Sequence, residues 1–182
     1  PPPPMQPTTL VTGVCGRIGR GIAKSLKSLG HRVVGVDVAS ATEGLVGPVC
    51  DHFVRVDLVA AAAPGPDLDK LRAAADDVHC VVHCAAWPGP SATPPPAVVS
   101  SGKAMETPAI GLENASPSVL LRDNVASTSA VCDVAVAAGA TRFVFSSSAF
   151  AMGFSHVAAG AQSWRPRYLP VDEAHGAMPQ ET

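Results

Sequence analysis

The stretch Thr12-Gly13-Val14-Cys15-Gly16-Arg17-Ile18-Gly19 restricts the folding of this chain more than any other. It follows a β-branched run, Thr8 to Thr12. It opens a segment, Arg17 to Leu29, in which Ile18, Ile22, Leu26 and Leu29 recur at helical spacing until Gly30 stops it. The unit is therefore strand, turn, helix. Glycines in such a turn permit positive φ, let the backbone approach an anion closely and let the helix pack on the strand. The N–H groups at the helix start then face the anion. A P-loop would need Gly-Lys-Ser/Thr, whereas Lys24-Ser25 follows Ala23 well inside the helix, which excludes it.

Further strands are expected at His31–Val38, His52–Val56, Val78–Cys84 and Arg142–Phe145. Helices are expected over Asp67–Ala75 and Pro117–Ala138, the latter carrying Val119, Leu120, Val125, Val131, Val134 and Val136 among alanines. Strands that alternate with helices predict an α/β fold, a doubly wound parallel sheet whose ligands sit beyond the carboxyl ends of the strands. A Pro-rich, irregular stretch runs from Trp87 to about Ser116, and the tail from Gly153 to Thr182 has no clear periodicity. No repeat at a fixed period is visible.

Asp37 ends the second strand, 18 residues beyond Gly19. That is close to the interval of about 20 at which an acidic side chain accepts hydrogen bonds from an adenosine ribose. A carboxylate there repels a 2′-phosphate, which favours NAD over NADP; Arg32 lies at the far end of the strand. Asp57 ends the third strand, where it could meet the adenine edge or simply cap a turn.

Composition narrows the partners. With 13 Lys+Arg against 15 Asp+Glu and a net charge of −2, the chain offers no bulk attraction for nucleic acid or an anionic membrane. No apolar run approaches the roughly 18 residues that span a bilayer, and the Pro1–Pro4 start lacks the features of a signal peptide. A soluble, cytoplasmic protein is expected. The 5 cysteines, Cys15, Cys50, Cys80, Cys84 and Cys132, lack the spacing of a disulfide scaffold and are expected to be reduced.

Taken in order, these motifs resemble the extended short-chain dehydrogenase/reductases, the NAD-dependent epimerase/dehydratase family, from Thr8 to about Gly153. The resemblance implies a Rossmann-type domain in which Gly13, Gly16, Arg17, Ile18 and Gly19 hold the pyrophosphate. It makes Asp37 the ribose ligand and Asp57-Leu58 the adenine contact. His83-Cys84-Ala85-Ala86 is similar to a His-x-Ala-Ala segment that runs beside the cofactor, with Ala85 and Ala86 in contact with it. Asn124, in the long helix, is implied as a supporting residue near the active site. Ser148, last of the serines in Phe143-Val144-Phe145-Ser146-Ser147-Ser148, is implied to bind a substrate hydroxyl or carbonyl. Three consecutive serines could also be turn chemistry.

Two departures accompany this resemblance. Met152 precedes Gly153 where the family often has a Tyr a residue or two earlier. More consequentially, the family's Tyr-x-x-x-Lys is missing. The only tyrosine, Tyr168, has Asp172 at the fourth following position, and all lysines (Lys24, Lys27, Lys70, Lys103) lie before Ser148. The chain then resembles the first part of an NAD-dependent epimerase, dehydratase or dehydrogenase, truncated after about five strands. Its expected small-molecule substrate is a sugar nucleotide or similar hydroxylated molecule, and by itself it is expected to be inactive. The expected organisation is a disordered Pro-rich start at 1–7, an NAD-binding domain at 8–153 and an incomplete substrate-side segment at 154–182. The alternative is a non-catalytic NAD-binding or sensing module. The helix from Pro117 is compatible with buried core or with a homodimer face of the full-length parent.

Other signals are weaker. His79-Cys80-Val81-Val82-His83-Cys84 looks metal-like, but on a strand residues four apart stand about 13 Å apart and neighbours alternate faces, so no metal is expected. A hydrolase using Ser148 with His156 or His175 would need a Gly-x-Ser-x-Gly elbow, which is absent. Pro88–Pro96 fits a loop after the fourth strand better than a polyproline ligand.

Overall fold

The computed structural model describes residues 6–39, 49–87 and 117–148. The Pro-rich start, residues 40–48, the Pro-rich stretch 88–116 and the residues from 149 on, with Met152, the boundary expected after Gly153 and Tyr168, lie outside the described residues. The chain divides into two compact units, Pro1–Phe145 and Ser146–Thr182.

The first unit contains strands β1 (Thr8–Thr12), β2 (Arg32–Asp37), β3 (His52–Arg55), β4 (Cys80–His83) and β5 (Arg142–Phe145). Helices α1 (Arg17–Ser28), α2 (Pro66–Ala74) and α3 (Pro117–Ala137) lie between them, with a 3-10 turn at Ala60–Ala62. The five strands form one wholly parallel sheet in the order β3-β2-β1-β4-β5. The order reverses at β1, which pairs with β2 on one side and β4 on the other, Thr12 lying opposite both Val36 and His83. That junction is the switch point, where two crossovers leave in opposite directions and open a crevice at the carboxyl ends of the strands.

Both faces of the sheet are covered at β1, β2 and β4, as near-continuous apolar strands require. Val11, Val33 and Val82 pack with Val14, Ala23, Ile22 and Leu26 on the α1 side. Leu10, Val34, Val36 and Val81 pack with Leu71, Ala74, Val131 and Val134 on the side of α2 and α3. Successive strand residues thus divide between the two cores, following the period of two. Pro66 begins α2 at a position where its missing N–H costs nothing, and Asp67 and Asp69 in the first turn suit the helix dipole. Lys27 of α1 pairs with Asp51, whose other carboxylate oxygen accepts the Val33 N–H at 2.7 Å. This contact ties helix, strand β2 and the entry to β3 together.

The expected elements occur with small differences at their ends. β4 is shorter than the apolar run implies, because the Val78 N–H turns back to Ala75 O. α3 buries Leu120, Val131 and Val134 but leaves Leu121, Val125 and Val136 exposed. β5, at the sheet edge, exposes Phe143, Val144 and Phe145. All five cysteines are free thiols.

Candidate functional site

The turn between β1 and α1 is built by what its glycines lack. Gly13 adopts φ +67, and a Cβ there would lie 2.8 Å from Ala85 N and 2.9 Å from Ala85 Cα. Side chains rarely tolerate that φ, and backbone cannot yield cheaply, so the turn and the segment after β4 approach as only glycine permits. At Gly19, inside α1, a Cβ would lie 2.3 Å from Gly13 O. The helix therefore packs directly against the turn that precedes it. Gly16, with a Cβ position 3.1 Å from Gly13 O, donates its N–H to that same carbonyl at 3.0 Å.

The turn is anchored to β2 by the Gly13 N–H, which donates to Val36 O at 2.9 Å. α1 starts with no side-chain cap at Gly16 and no acidic residue in its first turn. Its leading N–H groups point along the axis without intrahelical acceptors, which makes this end suitable for an anion. Arg17 and Ile18 both stand exposed there, Ile18 by 61%.

Asp37 is brought to the same end of the sheet by the final residue of β2. Its Oδ2 accepts the Cys15 N–H at 2.9 Å and its Oδ1 accepts the Ala39 N–H at 2.9 Å. The carboxylate and the glycine turn are thus joined by a direct hydrogen bond. Burial, reinforced by the neighbouring Asp37 carboxylate, pushes the Cys15 thiol up to about 12. Cys15 is therefore a protonated side chain at neutral pH and a poor nucleophile.

Asp57 serves a turn. Its Oδ1 accepts the N–H groups of Val59 at 2.9 Å and Ala60 at 3.3 Å, capping the 3-10 turn. The Leu58 side chain belongs to the core on the α2 and α3 side. Ala85 donates its N–H to Thr12 Oγ1 at 3.2 Å beside the Gly13 turn, and Ala86 is exposed. Asn124, on α3, is a clamp: Oδ1 accepts the Trp87 N–H at 2.8 Å and Nδ2 donates to Trp87 O at 3.2 Å. Both halves of its amide fix the backbone that leaves β4. Ser148 lies in the second unit and is exposed.

The glycines, Asp37 and Ala85 are therefore brought together at the switch point, and Asn124 holds the segment that begins at Ala85. Thr12 begins the turn motif but was given no role of its own in the sequence, although its Oγ1 accepts from both Cys84 and Ala85 and meets His83. Thr128 was missed as well; its spacing of four from Asn124 on one helix was the available signal. Among the described residues no group of His, Cys, Asp or Glu is arranged to hold a metal ion, and no helix is long and apolar enough to cross a membrane.

Comparison with known proteins places this geometry. No curated protein matches the chain by sequence. Among solved structures, a short-chain dehydrogenase/reductase superfamily protein from Agrobacterium tumefaciens with bound NAD is 26% identical with a TM-score of 0.60, over 96% of this chain and 40% of that one. A UDP-galactose 4-epimerase is 24% identical (TM-score 0.60, 94% of this chain and 45% of that one). A UDP-glucose 4-epimerase from Brucella ovis in complex with NAD is 21% identical (TM-score 0.62, 96% and 42%). The chain spans less than half the length of each. The sequence model described as the NAD dependent epimerase/dehydratase family matches residues 9–99, half of the chain and the part that carries the glycine turn, Asp37 and Ala85. With that match on the residues that build the site, the chain belongs to the NAD dependent epimerase/dehydratase family.

Proposed function

We propose that these residues form the NAD-binding portion of an oxidoreductase of epimerase, dehydratase or dehydrogenase type, acting on a sugar nucleotide or a similarly hydroxylated substrate. One observation carries it: the side-chain-free cradle of Gly13, Gly16 and Gly19, joined by the Cys15 N–H to the Asp37 carboxylate. The glycines let the turn, α1 and the segment after β4 pack backbone against backbone, and the N–H groups at the start of α1 would supply partial positive charge to a pyrophosphate there. Asp37 would accept hydrogen bonds from the adenosine ribose. Arg17 and Ile18 would flank the pyrophosphate, while Asp57 and the Leu58 backbone would lie toward the adenine. Ala85 and Ala86 would line the nicotinamide half.

Bound NAD supplies a hydride acceptor. Ser148 would hydrogen-bond a substrate oxygen and orient it, and Asn124 would keep the segment after β4 in place through Trp87. The proton transfer that accompanies hydride movement needs a base, and a phenol with a free pKa near 10 serves only when a cation favours its ionised form. No Tyr-x-x-x-Lys occurs in the 182 residues. These residues alone are therefore expected to turn over nothing. Epimerases and dehydrogenases among the neighbours support the reaction type, and the UDP-sugar epimerases support the substrate class.

Calorimetric titration with NAD and NADP tests the proposal. Weak saturable binding of NAD, and weaker binding of NADP, is expected. A preference for NADP would overturn the role of Asp37. Turnover of a hydroxylated or sugar-nucleotide substrate by this chain alone would overturn the missing-base argument.

A further inference from the structure

His83 is a polar ring that follows Val81 and Val82 on β4, and only 1% of it reaches solvent. A buried polar side chain persists where its hydrogen bonds are made, and both ring nitrogens of His83 meet hydroxyls. Nδ1 lies 2.7 Å from Thr12 Oγ1 and Nε2 lies 3.2 Å from Thr128 Oγ1. Phe145 stacks on the ring at 5.6 Å between centroids.

The protons along this chain have one consistent arrangement. Thr128 donates its single hydroxyl hydrogen to Asn124 O at 2.8 Å, so toward His83 it accepts, and Nε2 carries the ring hydrogen. Burial pulls the imidazole pKa down to about 4, so the ring is neutral at pH 7 and Nδ1 is an acceptor. Thr12 then donates to Nδ1, and its oxygen keeps its lone pairs for the Cys84 and Ala85 N–H groups, both at 3.2 Å. Thr12 immediately precedes Gly13, and Ala85 is the residue against which Gly13 packs. The same chain continues through Asn124 to Trp87.

We infer that His83 is a positioning residue: its imidazole fixes the proton direction of Thr12 and thereby holds the Gly13 turn, the Cys84–Ala85 bend and α3 in one register. Its effect on ligand binding rests on the proposed NAD site, since the turn and the bend would flank that cofactor. Without an acceptor at Nδ1, the Thr12 hydroxyl must find another partner for its hydrogen and can no longer offer the same lone pairs to Cys84 and Ala85. An apolar residue of similar volume would fill the space without directing the hydroxyl.

The test compares His83→Leu with His83→Asn, whose amide oxygen can stand where Nδ1 stands. In the 182-residue chain, hydrogen exchange of the Ala85 amide should quicken about tenfold in H83L, as for loss of one net hydrogen bond, that of Cys84, which also donates to Thr12 O at 3.3 Å, should quicken less, and both should return near the wild-type rate in H83N. The Kd for NAD should follow the same pattern. Nitrogen-15 correlation spectra of labelled histidine should assign the ring hydrogen of His83 to Nε2 at neutral pH. Unchanged exchange in H83L, H83N no better than H83L, or a hydrogen on Nδ1 would overturn the inference. If H83L fails to fold, H83N, which keeps only an acceptor toward Thr12, should still exchange its Ala85 amide near the wild-type rate; much faster exchange there would count equally against the inference. Failure of the wild-type chain to bind NAD would overturn the proposed function, while exchange and the ring tautomer would still decide the role of His83.

Discussion

Gly19 and Gly21 lie two residues apart in α1, and a methyl group added to each should change stability in opposite directions. At Gly21 nothing lies within 4 Å of the new Cβ, so Gly21→Ala adds helix propensity alone, about 1 kcal/mol. At Gly19 the same propensity gain meets a Cβ 2.3 Å from Gly13 O and 2.8 Å from Gly13 C. Backbone must move, which costs about 1–3 kcal/mol as overpacking. The displaced turn also strains the Gly16-to-Gly13 and Gly13-to-Val36 hydrogen bonds, each worth about 1 kcal/mol net. After subtracting the propensity gain, Gly19→Ala should destabilise by about 1–3 kcal/mol. In a chain of this size 1 kcal/mol shifts Tm by about 2–4 °C. Calorimetric melting should therefore raise the Tm of the Gly21 variant by a few degrees and lower that of the Gly19 variant by at least as much. A Gly19 variant that melts above the wild type would refute the close packing of helix on turn.

Three further outcomes are expected. Asp37→Ala should weaken NAD more than NADP in paired titrations, because removing the carboxylate lifts its repulsion of the 2′-phosphate; equal losses would contradict the ribose assignment. Asn124→Leu leaves both Trp87 backbone groups without their partners, at about 1–3 kcal/mol in urea unfolding, and should loosen the segment after β4 in hydrogen exchange. The depressed pKa of His83 means that the unfolded chain, with an ordinary histidine near 6.5, binds its proton first. Stability should fall as pH drops from about 6.5 toward 4, by up to about 3 kcal/mol, and His83→Asn should remove that slope in urea melts at pH 7 and pH 5.

Much of the fold was legible because its signals are local. Glycines at 13, 16, 19 and 30 punctuate β1 and α1, and Pro66 marks a helix start. The interval from Gly19 singled out Asp37, and the structure sets its carboxylate beside the glycine turn. The contacts that couple these parts were hidden, since Thr12–His83, His83–Thr128 and Trp87–Asn124 join residues 71, 45 and 37 apart, which no local period encodes. Leu58 illustrates the same limit: it follows the end of β3, where alternation no longer states which way a side chain turns, and the core claims it. For Asp57 the turn-capping preference of aspartate was visible, and the structure uses it.

A surface made of backbone resists retuning by substitution, because a Cβ at Gly13 or Gly19 would collide with backbone and one at Gly16 would crowd Gly13 O. In the glycine turn this leaves only the intervening positions open to mutational change. Val14 is fully buried beneath Gly35, where a Cβ would come within 2.8 Å of its Cγ1, and Cys15 is tied to Asp37. The exposed pair Arg17 and Ile18 remains. Redesign of what this turn accepts therefore begins as a search over two adjacent residues, small enough to be made exhaustively.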